Sequence, residues 1–162
     1  MGRVLTNSGG LKQTGNIVLT GTRGLNDTVG RVTQNGLWTF GSDALLKAND
    51  LVGNGLFCLS STVSVDGCAG ETKNLTLELA STSAFGGVFS GNGRLEKTGT
   101  GVLNLSAEQT FIGGLLVSGG TVSVGGANGR MADTLDIVIG TGGTYISNNV
   151  DTVRSIVNHG NN

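Results

Sequence analysis

Proline is absent from this chain of 162 residues, and aromatic residues make up only 4% of it. Glycine, in contrast, supplies 30 residues, well above its average share of about 7%. Collagen is excluded, because glycine does not recur at every third position and proline is missing. A disordered linker is disfavoured, because 37% of the residues are apolar. We therefore predict one continuous folded domain over residues 1–162.

Charged residues are also scarce, at 13% of the chain with a net charge of −1. The ten Lys and Arg residues are scattered from Arg3 to Arg154, so nucleic acid is not a predicted partner. No apolar run approaches the roughly 18 residues that a membrane helix needs, so no membrane contact is predicted within this segment. No signal peptide is visible either. If the chain is exported, the signal lies outside it, and we expect a segment of a longer protein.

There is a single histidine, His159, in a terminal turn. A nucleophilic triad therefore has little support, and one histidine with two cysteines makes a poor metal site. Paired carboxylates are the remaining catalytic option, since some β-helix enzymes cleave polysaccharides with clustered acids. The candidate pairs are Asp133 with Asp136 and Asp43 with Asp50. Because most Asp residues in turns bond to the backbone, we predict no enzyme activity, no catalytic residues, no metal and no cofactor.

Two cysteines, Cys58 and Cys68, have nine residues between them. In an oxidising compartment they are a possible disulfide, provided that the chain forms a hairpin at this point. The alternative is two buried free thiols.

Short strand-like pieces separated by glycines dominate the chain. Leu75–Leu79 and Val102–Leu105 each alternate apolar with polar residues, so each strand has one apolar face. Pieces this short cannot bury that face alone and must stack on one another, which predicts an all-β solenoid. We expect files of Leu, Val and Ile inside a thin core, without large rings. At 20–25 residues per coil, the chain makes roughly seven coils.

The stretch 89–124 is the most regular, and it resembles the autotransporter-associated β-strand repeat of Gram-negative passenger domains. The pattern runs Gly-x-Gly-x-Leu-x-Lys-x-Gly-x-Gly-x-Leu-x-Leu-Ser, followed by an aromatic, Gly-Gly and a Val-rich strand. The matching residues are Gly91, Gly93, Leu95, Lys97, Gly99, Gly101, Leu103, Leu105, Ser106, Phe111, Gly113, Gly114, Val117, Gly120, Val122 and Val124. One departure is Val122, where the family usually has leucine.

The resemblance implies a right-handed parallel β-helix and an extracellular or outer-membrane location on a Gram-negative cell. The implied function is a structural or adhesive segment that presents or forms a cell-adhesion or biofilm surface. Open ends of a β-helix recruit other strands. The expected partners are therefore the rest of a parent passenger or identical copies, together with a host or bacterial surface glycan or protein.

Internal similarity supports a repeat architecture. A weaker copy of the central pattern covers 8–21, and paired rungs with a shared Asp-Thr-Val unit cover 26–36 and 149–160. The window 42–52 is the only helix-like stretch. It predicts an interruption of the repeat, either a short helix or a strand followed by a turn.

Two aromatic residues are weak candidates for ligand binding. Trp38 and Tyr145 are the only tryptophan and tyrosine, and such rings can stack on a sugar. The alternative for Trp38 is packing in the core. A glycan-binding module is thus one alternative function, and a polysaccharide-degrading β-helix fragment with clustered carboxylates is another.

Overall fold

A computed structural model describes residues 5–7, 10–13, 17–18, 30–64 and 67–160. All the secondary-structure elements in these ranges are β-strands, which confirms the predicted all-β class. The strands are β1 Leu5–Asn7, β2 Gly10–Gln13, β3 Ile17–Val18, β4 Arg31–Gln34, β5 Leu37–Phe40, β6 Ala44–Ala48, β7 Asp50–Gly53, β8 Leu56–Cys58, β9 Ser60–Ser64, β10 Gly67–Thr72, β11 Leu75–Leu79, β12 Ser83–Phe85, β13 Val88–Gly91, β14 Leu95–Thr98, β15 Val102–Leu105, β16 Thr110–Phe111, β17 Leu115–Val124, β18 Asp136–Ser147 and β19 Ser155–Asn158.

The strands stack in parallel on three faces, which the chain visits in a fixed order. The first face holds β1, β4, β7, β12, β15 and the second halves of β17 and β18. The second face holds β2, β5, β8, β13 and β16. The third face holds β3, β6, β11, β14, the first halves of β17 and β18, and finally β19. This is a parallel β-solenoid, as predicted.

One coil takes about 20 residues, because Leu75 pairs with Leu95 and Leu95 pairs with Leu115. Two coils are longer. The first runs from Leu5 to its pairing partner Val32. The second runs from Ala44 to its partner Leu75, and it is longer because it contains the hairpin β9–β10. These extra residues explain why the solenoid has about six turns rather than the predicted seven or so.

The interior follows the predicted alternation of side chains. In β11 the three leucines are buried, whereas Thr76 and Glu78 are half-buried. In β15, Leu103 and Leu105 point inward and Asn104 points outward. Parallel register then aligns inward residues of successive coils into files. The file on the third face contains Ala44, Leu75, Leu95, Leu115, Ile137 and Ile156.

Glycine shapes the corner that follows β14. Gly99 has a φ of +75°, a conformation that costs other residues energy. A Cβ at Gly99 or Gly101 would collide with the backbone of the previous coil, including the carbonyl oxygen of Leu79. The glycines that the sequence pattern picked out therefore let neighbouring coils approach closely.

The window 42–52 does not interrupt the solenoid, and of the two predicted alternatives the strand is the one observed, at Ala44–Ala48, followed by a bend at Asn49. This window forms β6 and β7, which take their places on the third and first faces. Ala44, Leu46 and Ala48 are buried in strand alternation, so sheet pairing overrides the helical propensity of Ala and Leu.

The repeat copies do not lie at equivalent positions in the coil. In the copy at 8–21, Leu11 aligns with Leu95, but β2 lies on the second face and β14 on the third. In the paired rungs, β4 lies on the first face and β19 on the third. Residues 8–9, 14–16, 19–21 and 26–29 of these copies lie outside the described residues. The similarity thus marks equivalent strands but does not place them at equivalent positions in a coil.

Candidate functional site

Trp38 lies in the interior on the second face. Its side chain is fully buried, and its ring centroid is 5.3 Å from that of Phe57 and 6.1 Å from that of Phe40. The indole Nε1 has no hydrogen-bond partner among the described residues. The ring therefore offers no face to a ligand at the surface, and the core-packing alternative describes its position.

Trp38 belongs to an aromatic file that the sequence analysis missed. All five Phe residues and the single Trp are at most 1% exposed. Trp38, Phe57 and Phe89 are in register on adjacent coils, and the last two stack at 4.9 Å with an interplanar angle of 9°. The signal was present as a repeated Gly-(Leu/Val)-aromatic unit at 36–38, 55–57 and 87–89.

Tyr145 lies far along the chain from that file, in the second half of β18. Its ring is half-buried, and its hydroxyl donates a hydrogen bond to Asp151 Oδ2 at 3.3 Å. Burial, followed by the negative charge of Asp151, raises the pKa of this phenol above its usual range. Tyr145 borders an open pocket of about 380 Å³ together with Gly142, Gly143 and Asn158. Trp38 and Tyr145 thus do not form one site.

Three of the four candidate carboxylates have other partners. Asp136 accepts hydrogen bonds from Arg154 and Ser155, which lower its pKa to about 2. Asp50 is buried and accepts a hydrogen bond from Arg31 Nη2 at 2.8 Å.

Of the two remaining acids, Asp43 accepts the backbone N–H of Asn74 at 2.8 Å, and Asp133 is exposed. His159 also lies exposed near the end of the chain. Within each candidate pair, the two acids thus have different surroundings.

Cys58 and Cys68 form a disulfide, with their Cα atoms 5.6 Å apart. Cys58 alternates with the inward Phe57 in β8, so its side chain points away from the aromatic file. It is nevertheless fully buried, because the hairpin β9–β10 covers it. Asn92 ties the hairpin to the next coil, donating its N–H to Ser60 Oγ at 2.9 Å. The disulfide thus fastens the hairpin to the outside of the second face.

Lys97 is the unexpected charge of the interior. Its side chain is fully buried between coils. Its ammonium donates to the carbonyl oxygens of Thr98 at 2.6 Å, Gly99 at 3.4 Å and Gly119 at 3.4 Å. Burial lowers the pKa of this lysine to about 8, and the charge of Glu78 opposes that shift. Lys97 satisfies corner carbonyls that the glycine-rich chain brings close together.

The last coil presents open strand edges. β19 pairs with the first half of β18, and among the described strands none pairs with the outer edges of β19 or of residues 141–147. Large apolar side chains concentrate here. Of the six that are exposed in the described chain, four belong to this end, and they are Ile146, Val150, Ile156 and Val157.

Within the described residues, no group of three or more His, Cys, Asp or Glu side chains is placed to hold a metal ion. The same ranges contain no helix of the length and apolarity needed to span a membrane. Comparison with protein-family models, with curated proteins and with solved structures found no match for this chain.

Proposed function

We propose that the chain is a structural segment of a Gram-negative surface protein of the autotransporter type, located outside the cell, whose rod presents or forms an adhesive surface. The observation that carries the proposal is the continuous parallel stacking of strands on three faces. Each coil hydrogen-bonds to its neighbours, so a solenoid makes a rigid spacer whose outer faces can be varied without changing the core. The resemblance over 89–124 and the disulfide also support a location outside the cell.

Adhesion is tested with fluorescent beads that carry the purified chain. We expect these beads to bind one another, cultured host cells or bacterial biofilm more than beads carrying a monomeric globular protein of similar charge. Absence of binding to all three targets would contradict the adhesive part of the proposal. Release of reducing ends from polysaccharides by the chain would instead favour the enzymatic alternative.

The free strand edges of residues 141–147 and of β19 form the open end after β18. They support a partner in the form of a further coil, from a longer parent chain or from a second copy. The unpaired edges of β18 and β19 can donate and accept backbone hydrogen bonds. The exposed side chains of Ile146 and Ile156 would be covered by such a coil. This is the edge-to-edge pairing by which β-structures recruit other strands.

A glycan-binding function is favoured by one observation, the pocket beside Tyr145. The pocket combines the apolar ring of Tyr145 with two hydrogen-bonding groups, the Tyr145 hydroxyl and the amide of Asn158, as sugar recognition requires. A glycan array tests this alternative, with Tyr145→Ala and Tyr145→Phe as matched variants. A sugar that binds wild type and Tyr145→Phe but not Tyr145→Ala would indicate stacking on the ring.

A further inference from the structure

Asparagine followed by glycine occurs four times, at 35–36, 54–55, 92–93 and 128–129. All four Asn side chains are exposed. Such pairs are prone to cyclise, because glycine has no side chain to hinder its own amide nitrogen as it attacks the preceding carboxamide. The chemistry is the same in all four pairs, so the hydrogen bonds around each pair set its reactivity.

The pair at 54–55 is held in a corner between coils. The N–H of Gly55, which would have to attack, donates to the carbonyl oxygen of Gln34 at 2.8 Å. The backbone N–H of Asn54 donates to Asn35 Oδ1 at 3.1 Å. That second bond also fixes the carboxamide of the pair at 35–36. Cyclisation at Asn54 therefore first requires a bond between coils to break.

The pair at 92–93 is held in the same way. The N–H of Gly93 donates to the carbonyl oxygen of Leu59 at 2.8 Å. The carboxamide of Asn92 is also engaged, since its Nδ2 donates to the carbonyl oxygen of Gly70 at 3.2 Å. Both reacting groups are thus committed to other partners.

The pair at 128–129 lies in the loop between β17 and β18 and differs from the others. Asn149 Nδ2 holds this loop by donating to the carbonyl oxygens of Gly126 and Gly129, each at 2.7 Å. Among the described residues, neither the carboxamide of Asn128 nor the N–H of Gly129 has a hydrogen-bond partner. A pocket of about 160 Å³ beside Asn128 leaves room for water.

We propose that Asn128 is a site of spontaneous modification, at which asparagine converts to aspartate and isoaspartate. The Gly129 nitrogen forms a bond to Asn128 Cγ, the Cγ–Nδ2 bond breaks, and ammonia leaves with the proton from the Gly129 nitrogen. Water then opens the succinimide ring at either carbonyl carbon, giving aspartate or isoaspartate. The new carboxylate lies two residues from Arg130, whose guanidinium is 3.2 Å from Glu108, and it competes for that cation.

The test is incubation of the native chain at pH 8 and 37 °C, with peptide mapping by mass spectrometry over several weeks. We expect the mass gain of deamidation at Asn128 to accumulate about tenfold faster than at Asn54 or Asn92, because only those two sites must first lose a backbone hydrogen bond. In 8 M urea the difference should disappear, since all the pairs are then equally free.

Two controls separate this from other causes. Asn128→Gln should remove the mass gain at this loop while leaving the fold and the other sites unchanged, because glutamine would have to close a less favourable larger ring. A native chain in which Asn54 or Asn92 reacts as fast as Asn128 would overturn the proposal. So would a tenfold preference for Asn128 that persists in urea, because the cause would then be local sequence rather than structure.

Discussion

Leu103 and Asn104 are adjacent in β15, yet they have opposite environments. Leu103 is fully buried, whereas Asn104 faces outward and donates to the carbonyl oxygen of Ser83 at 3.1 Å. Leu103→Asp would bury a charge without a partner, and we expect it to lower the free energy of unfolding by about 3 kcal/mol or more. The matched change Asn104→Asp should cost only about 1 kcal/mol, for one lost hydrogen bond. Urea unfolding followed by circular dichroism distinguishes them, and similar losses would contradict the inward placement of Leu103.

Lys97 predicts a pH dependence with a definite sign. Its pKa is about 8 in the folded chain and about 10.4 in an unfolded one. Between these values the unfolded state binds more protons, so the free energy of unfolding rises with pH, by up to about 1.4 kcal/mol per pH unit from this group. Below pH 8 both states are protonated, and Lys97 contributes no slope.

Lys97→Met, which keeps the length of the side chain, removes this slope. We therefore expect the difference in stability between wild type and Lys97→Met to be flat from pH 6 to 7.5 and to shift in favour of wild type from pH 8 to 10. Urea unfolding at each pH measures it. The rise of the Tyr145 pKa acts in the opposite direction at still higher pH, but it is common to both proteins and cancels. Parallel stability curves would show that Lys97 keeps an ordinary pKa.

At the scale of residues, the alternation of inward and outward side chains could be predicted, because it is visible in the sequence of a single strand without knowledge of the neighbouring strands. The burial of Lys97 could not be derived from the residues, since a lysine in an alternating strand ordinarily marks the solvent side. Its acceptors, the carbonyls of Gly99 and Gly119, become neighbours only when two coils stack. The aromatic file was missed for a similar reason: rings that are few in the sequence become adjacent across coils.

At the scale of elements, the hairpin β9–β10 is an insertion attached to a regular coil. Its outer strand, β10, is largely exposed, and its attachment depends on the disulfide and on the bonds of Asn92. We expect Cys58→Ser with Cys68→Ser to remove about 2–3 kcal/mol from the free energy of unfolding, by releasing a short loop in the unfolded chain. Locally, the hairpin should detach more readily.

Trypsin cleavage after Lys73 reports on that detachment, because Lys73 N–H is bonded to Leu59 at the base of the hairpin. The double variant, or wild type with a reductant, should be cleaved there faster, while cleavage after Lys97 in the interior stays slow. Equal rates at Lys73 with and without the disulfide would show that hydrogen bonds alone hold the hairpin.

The repeats illustrate what sequence similarity determines at the scale of elements. Leu11 and Leu95 lie in similar local sequences, but their strands occupy different faces. The face that a strand occupies depends on how many residues precede it, and insertions such as residues 60–72 change that number. Whether a segment forms a strand is thus determined by its local sequence, whereas the face that the strand occupies depends on the total number of residues before it.

At the scale of the whole molecule, the fold class was predictable because short amphipathic strands that recur with glycine-rich corners bury their apolar faces by stacking coil on coil. The chemistry of the surface was not, since outward positions are unconstrained by the core. The main departure from a uniform surface is the open end after β18. Here unpaired edges coincide with Ile146, Ile156 and Val157, and Arg154 forms an ion pair with Asp136. These edges and apolar side chains are the features that a second copy would cover.

If a second copy covers this end, the chain should self-associate with concentration, and a charge on β19 should prevent it. Ile156 is 53% exposed, so Ile156→Lys should leave the monomer folded while placing like charges across the contact. Val63→Lys, at a residue 38% exposed on the hairpin, is the matched control and should associate as wild type does. Sedimentation velocity over a hundredfold range of concentration makes the comparison. If both variants still associate, the contact lies elsewhere on the rod. If the wild-type chain stays monomeric at every concentration, a coil of a longer parent chain is left as the partner for these edges.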